Sequence, residues 1–169
     1  MLKTEISVVF GNYKKMNNMI TVGENIPPFK LQNQDEVVVN SSDLKGKKLI
    51  LFFYPKDDTP GCTAEACSLR DGFAELSKLG YTLYGISPDM PTKHKKFKDK
   101  YGLPFELLAD FNHEMMSDFG VWGEKSMYGK KYMGVLRTTV VCNELGVVTH
   151  VISKVKTKDH SNQLLELLQ

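Results

Sequence analysis

An excess of charge of either sign is almost missing from this 169-residue chain: 22 Lys and Arg stand against 20 Asp and Glu, a net of +2. So even a balance offers no electrostatic footprint for a polyanion, and no nucleic-acid partner is expected. Long hydrophobic runs are missing as well. The longest, 49–54 and 145–148, fall far short of the roughly 20 residues that cross a bilayer, so no membrane partner is expected. Near the N-terminus the apolar run 6–10 is too short for the ~7–15-residue core of a secretory signal, and the expected location is the cytoplasm. Cysteine is sparse, with three in the chain. In a reducing compartment three cysteines are not a disulfide framework, which leaves catalytic, redox or metal roles. Neither C-x-x-C nor H-x-x-x-H occurs, and His94, His113, His150 and His160 are scattered; no metal and no cofactor are expected.

Linkers, low-complexity tracts and repeats are also absent from 22–169, so residues 21–169 are expected to form one domain behind a poorly ordered extension, 1–20. The segment 48–54 (KLILFFY), followed by Pro55, has the continuous apolar character of a central strand. Next comes CTAEACSLRDGFAELSKLG, where Ala66, Leu69, Phe73 and Leu76 recur at helical spacing and Gly80 is a stop signal. YTLYGIS, 81–87, reads as a second strand, and the three together make a βαβ unit with parallel pairing. A helix is predicted over 91–101 with Gly102 as its stop, its lysine-rich face solvated, and a shorter one over 112–119 with Asn112 as cap. RTTVVCN and GVVTHVIS read as a hairpin, 161–168 as a closing helix, and 29–40 as an N-terminal hairpin turning at 33–36. The expected fold class is α/β: a mixed sheet with helices on both faces.

The segment YPKDDTPGCTAEAC, 54–67, carries the chemistry. It places Cys62 where a loop enters a helix, and there unpartnered backbone N–H groups and the helix dipole favour a thiolate. Thr59 can aim a hydroxyl at the same spot, while Pro55 and Pro60 stiffen the loop and Gly61 permits close approach. A small buried cysteine in an ordinary strand-to-helix turn is the alternative. Cys67 lies five residues further on. On a continuous helix that spacing separates Cα atoms by about 8.7 Å, beyond the ~7 Å limit for a disulfide, so the pair bridges only if the first turn unwinds. Two unrelated helical cysteines remain the plainer possibility.

Pro55, Thr59 and Cys62 form P-x-x-x-[ST]-x-x-C, and the whole segment resembles the peroxiredoxins, in particular the bacterioferritin-comigratory or Q subgroup, whose second cysteine follows the first by five residues. SPDMPTKHKKFKDKYGLPFELLAD, WGEK and GVLRTT look like that subgroup in the same order. The resemblance implies a thioredoxin-like fold and reduction of hydrogen peroxide and organic hydroperoxides by a monomer, with thioredoxin or a similar dithiol as reductant. It assigns Cys62 as the peroxidatic nucleophile and Cys67 as the resolving cysteine. Thr59 would hydrogen-bond the thiolate and the peroxide, Pro55 would shield the pocket, and Arg137 would bind the thiolate and the developing charge. Glu65, one turn past Cys62, is a candidate to hold Arg137, with a solvent-facing glutamate as the alternative. Cys142 stands where the subgroup commonly has an apolar residue, and is read as a buried, inert thiol. Tyr54 and Trp122 are read as core, with a place in the pocket lining as the alternative.

Two other readings compete. A thioredoxin-type disulfide exchanger needs the missing C-x-x-C. A metal-binding or structural domain would need Cys62, Cys67 and Cys142 to converge.

Overall fold

The computed structural model describes residues 18–169. Its centre is a seven-stranded mixed sheet in the order β2-β1-β5-β4-β3-β8-β9. β3 (Lys48–Phe53) is the predicted central strand, parallel to β4 (Tyr81–Ser87) and antiparallel to β8 (Thr138–Cys142). Flanked on both sides and covered on both faces, its Leu49 to Phe53 are all buried, which is why the sequence there shows no polar alternation. The N-terminal hairpin β1 (Lys30–Asn33) and β2 (Val38–Asn40) joins the sheet through β5 (Glu106–Ala109). β9 (Val148–Ile152) closes the other edge as the partner of β8 in the expected hairpin.

Alternate residues of β3 feed two cores. Leu49, Leu51 and Phe53 pack with Met115, Met116 and Phe119 on one face, while Ile50 and Phe52 pack with Ala66, Leu69, Leu76, Phe97 and Leu164 on the other. The second face carries four helices: α1 (Pro60–Asp71), α2 (Phe73–Lys78), α3 (Pro91–Tyr101) and α5 (His160–Leu168). The first face carries α4 (Glu114–Asp118). Gly102 ends α3 in the left-handed conformation, φ 59°, as a stop signal should.

Several expectations need correction. The helix predicted from Cys62 to Gly80 is two helices that meet at Gly72, which sits against α5: a Cβ there would lie 2.4 Å from the Cβ of Ser161. α4 is shorter than predicted and is not capped by Asn112. His113 precedes it at φ 59°, and the Asp110 carboxylate accepts from the N–H groups of Met115 and Met116 at 3.3 and 2.8 Å. The face of α3 expected to be solvated contains two buried side chains, His94 and Phe97. β5 and a separate hairpin, β6 (Trp122–Met127) with β7 (Lys130–Val135), were not foreseen. Of the expected extension, residues 1–17 lie outside the described residues, and Ile20 is buried with its N–H bonded to the C=O of Phe119 at 3.0 Å.

Candidate active site

The loop leaving β3 is held against α3 by two consecutive aspartates. Asp57, fully buried, accepts from the Tyr54 hydroxyl at 2.6 Å and shares a 2.6 Å hydrogen bond with His94 Nδ1. His94 Nε2 lies 3.0 Å from the C=O of Leu108, and the N–H of Asp57 donates to Asp89 at 2.8 Å. Asp58, in the left-handed region at φ 58°, accepts from Lys100 Nζ and the Tyr101 hydroxyl, both at 2.8 Å. These two hydrogen bonds, Lys100 foremost, hold the Asp58 carboxyl below its ordinary pKa. Asp57, Asp89 and His94 bring ligand-type atoms within 4.8 Å of one another, yet those atoms already bond each other and the backbone. The cluster is a loop anchor. Sequence reasoning missed it, although His94 and Phe97, three residues apart on α3, share a face.

From that anchored loop α1 starts with Thr59 as its cap residue and Pro60 in the first turn, where a missing N–H costs nothing. The helical ladder opens with Thr63 N–H on the C=O of Thr59 at 2.8 Å, so the N–H groups of Gly61 and Cys62 have no partner inside the helix. Cys62 is 2% exposed at this helix start. Arg137, from the connection between β7 and β8, brings Nη2 to 3.4 Å from Cys62 Sγ and Nη1 to 2.7 Å from Glu65 Oε1. The bare Cα of Gly61 leaves room for it: a Cβ there would make a tight 3.3 Å contact with Nη2. Burial works against the guanidinium charge, but Glu65 and Cys62 outweigh it and leave Arg137 above its ordinary pKa. Glu65 is fully buried; burial pushes its pKa up to about 7 against the pull of Arg137. The solvent-facing alternative for Glu65 is thereby removed.

Thr59 is near this group in sequence but its hydroxyl donates to the C=O of Lys56 at 2.8 Å, with Cys62 receiving no bond from it. Pro55 is half-buried in the same loop. Cys67 is half-buried in α1, and all three cysteines are free thiols. Cys142 belongs to the core on the face of the sheet opposite Cys62. Its thiol pKa is raised by burial, opposed by the Leu49 N–H. The three thiols do not converge, so the three-thiolate metal reading fails. Tyr54 is buried in the same core cluster as Cys62, while Trp122 stacks on His113 at 3.7 Å between ring centroids.

A buried thiol at a helix start, an arginine bridging it to a carboxylate, and a second thiol five residues away are the parts that the sequence motif called for. The AhpC/TSA family pattern matches residues 22–151. The chain belongs to the AhpC/TSA family. Within that family its relatives are peroxiredoxins of the Bcp and Q kind. The putative peroxiredoxin bcp of Haemophilus influenzae is 45% identical over 152 residues, covering 90% of this chain and 98% of that one. Peroxiredoxin Bcp of Bacillus subtilis is 43% identical, covering 89% and 96%. Among solved structures, the bacterioferritin comigratory protein of Xanthomonas campestris superposes with a TM-score of 0.78 at 32% identity, over 83% of this chain and 89% of that one. A cysteine-to-serine mutant of PrxQ from Xylella fastidiosa gives 0.83 at 26% identity, over 90% and 97%. The mixed sheet with its flanking helices is thus the thioredoxin-like fold of this family.

Proposed function

We propose that this AhpC/TSA member is a thiol peroxidase that reduces hydrogen peroxide and organic hydroperoxides with Cys62 as its nucleophile. The observation that carries the reading is the 3.4 Å approach of Arg137 Nη2 to Cys62 Sγ at the start of α1. The Xanthomonas campestris relative, whose structures concern alkyl peroxide reduction, supports the substrate class.

The Cys62 thiolate attacks one peroxide oxygen, which keeps its hydrogen; the S–O bond forms as the O–O bond breaks, and the leaving oxygen takes up the proton that the thiol gave to solvent on ionising and departs as water or alcohol. Cys62 becomes the sulfenic acid. Lowering a thiol pKa from about 8.5 to about 6 raises the thiolate fraction at neutral pH only ~30-fold, whereas accelerations of ~10⁶ need ~8 kcal/mol. Most of that must come from orientation and from donors placed where charge develops. Arg137 is such a donor, its fork fixed by Glu65. In this reading Thr59, with its proton committed to Lys56, presents oxygen lone pairs to the peroxide hydrogen, and Pro55 keeps water from the loop side of the pocket.

Cys67 then condenses with the sulfenic acid, giving the Cys62–Cys67 disulfide and water. α1 is unbroken from Pro60 to Asp71, so the ~8.7 Å separation of an ideal helix applies and the first turn must open. An outside dithiol such as thioredoxin restores both thiols and is itself oxidised. We assign the chain no cofactor, a monomeric state and a cytoplasmic location; sedimentation and cell fractionation test the last two. Stopped-flow consumption of hydrogen peroxide and of an organic hydroperoxide by the reduced protein tests the activity. Rapid, stoichiometric loss is expected from the parent and none from Cys62→Ser; equal loss from both overturns the reading.

A further inference from the structure

The peptide unit between Lys56 and Asp57 is hydrogen-bonded on both edges. Its C=O accepts the Thr59 hydroxyl at 2.8 Å, and its N–H donates to Asp89 Oδ2, also at 2.8 Å. A peptide unit is planar, with N–H and C=O on opposite edges, so the two turn together. The carboxylate on one side therefore sets the direction of the carbonyl on the other.

Asp89 is itself held in place. Ser87 Oγ donates to Oδ2 at 2.7 Å and accepts the Asp89 N–H at 3.2 Å, while Lys93 Nζ lies 3.0 Å from Oδ1. Burial opposes its charge, but the Asp57 N–H, the Ser87 hydroxyl and Lys93 outweigh it and keep the carboxyl below its ordinary pKa. The other anchors of the loop act elsewhere. Tyr54 and His94 grip the Asp57 side chain, and Lys100 and Tyr101 grip that of Asp58. A peptide unit can turn over between Cα atoms that stay in place, through opposite changes in ψ of Lys56 and φ of Asp57, so those grips leave the carbonyl free to flip. The bond to Asp89 restrains the peptide plane itself.

We propose that Asp89 is a positioning residue for the peroxide step: acting through the 56–57 peptide, it holds the Lys56 carbonyl toward Thr59, so that the Thr59 hydroxyl keeps its proton there and offers lone pairs to the peroxide. This rests on the peroxidase reading above. A hydroxyl has one proton to give. While Lys56 takes it, the Thr59 oxygen accepts from the peroxide O–H and helps to align the O–O bond with Sγ. With the carbonyl turned away the hydroxyl rotates, and its proton in part occupies the place where the peroxide must donate. An N–H bonded to an anion also polarises its amide, which strengthens the carbonyl as an acceptor. Asp89 lies thirty residues beyond Thr59 and reaches it across one planar amide.

The test is a double-mutant cycle on the single-turnover peroxide step, followed by stopped flow in the reduced full chain. Asp89→Ala is expected to slow the step about tenfold in the parent and by no more than about twofold in the Thr59→Val background. Asp89→Asn, which keeps an acceptor for the Asp57 N–H, should recover most of the loss. A general loosening of the loop would not depend on the Thr59 hydroxyl. Equal losses from Asp89→Ala in both backgrounds, or Asp89→Asn as slow as Asp89→Ala, would therefore overturn the proposal. The Asp57 amide resonances read the same link with no peroxide present. In the parent the amide hydrogen should lie downfield, as for a donor to a carboxylate, and Thr59→Val should shift the amide nitrogen. That measurement needs no Asp89 variant to fold, and an Asp57 amide that does not respond to Thr59→Val would overturn the proposal by itself. Its failure is distinct from failure of the peroxidase reading, which Cys62→Ser decides.

Discussion

Arg137 reaches Cys62 with only one of its two terminal nitrogens, Nη2 at 3.4 Å from Sγ, because Nη1 is held elsewhere at 2.7 Å. A fork fixed at one tine has a defined direction at the other, which a lysine ammonium cannot copy. Arg137→Lys should therefore slow the single-turnover peroxide step by about 10²-fold or more while the protein stays folded. A stopped-flow rate within a few-fold of the parent would show that a point charge suffices.

Separate roles for the two thiols of α1 predict separate losses. Cys67→Ser should react with the first equivalent of peroxide at nearly the parental rate, then stall as the sulfenic acid and pass to the sulfinic acid with excess peroxide. Mass spectrometry of Cys62 after one and after many equivalents checks this. A disulfide mapped from Cys62 to Cys142 would contradict it, and the opposite-face placement of Cys142 argues against that pairing.

Oxidation should open α1 from its start and go no further than its middle. Thr63 and Ala64 are only half-buried, whereas Leu69 is buried, Arg70 Nη1 donates to the C=O of Tyr101 at 2.8 Å, and Ser68 Oγ accepts from the N–H of Ser161 at 3.1 Å. Amide exchange over 63–68 should be faster in the disulfide form than in the reduced form, with 73–79 little changed. Equal protection in both states would mean that the disulfide forms by another route.

Glu65 predicts a pH dependence of stability with a definite sign. Its folded pKa, about 7, exceeds the ordinary 4.5, so between those values the folded state holds a proton that the unfolded state has lost. Stability should fall as pH rises through that window, by up to about 3 kcal/mol, and stay low above it. Urea midpoints measured across the window should show the fall in the parent and a flatter curve in Glu65→Gln.

The buried Asp57–His94 bond should be costly to break from one side. His94→Leu leaves the buried Asp57 side chain with the Tyr54 hydroxyl alone and its Oδ2 unpaired, and a loss of about 3–5 kcal/mol is expected in equilibrium denaturation.

What the sequence disclosed and what it hid divide along physical lines. β3 and the helix start at Cys62 were legible because burial on both faces and loop-to-helix chemistry leave local marks. The β6–β7 hairpin was not, since its turn places Tyr128 and Gly129 at φ 52° and 77°, and tyrosine is not a residue that advertises a left-handed turn. Its strands are also largely exposed and carry no apolar alternation. Asp57 meeting His94, and Asp89 meeting the Asp57 N–H, join residues 37 and 32 positions apart; neither has a periodicity to announce it. Arg137 was found only through the motif around it.

Gly72 ends α1 with its Cα against Ser161, and any β-carbon there would fall 2.4 Å from the serine's own. A single methyl group at position 72 would therefore act as a wedge under the first turn of α5, prising the Ser161 N–H from Ser68 Oγ of α1 from a point ten residues along the chain from Cys62. In a sweep of every single substitution, position 72 should sort with the neighbours of the nucleophile and not with the helix surfaces around it: the site is open to damage from behind, through an atom that is not there.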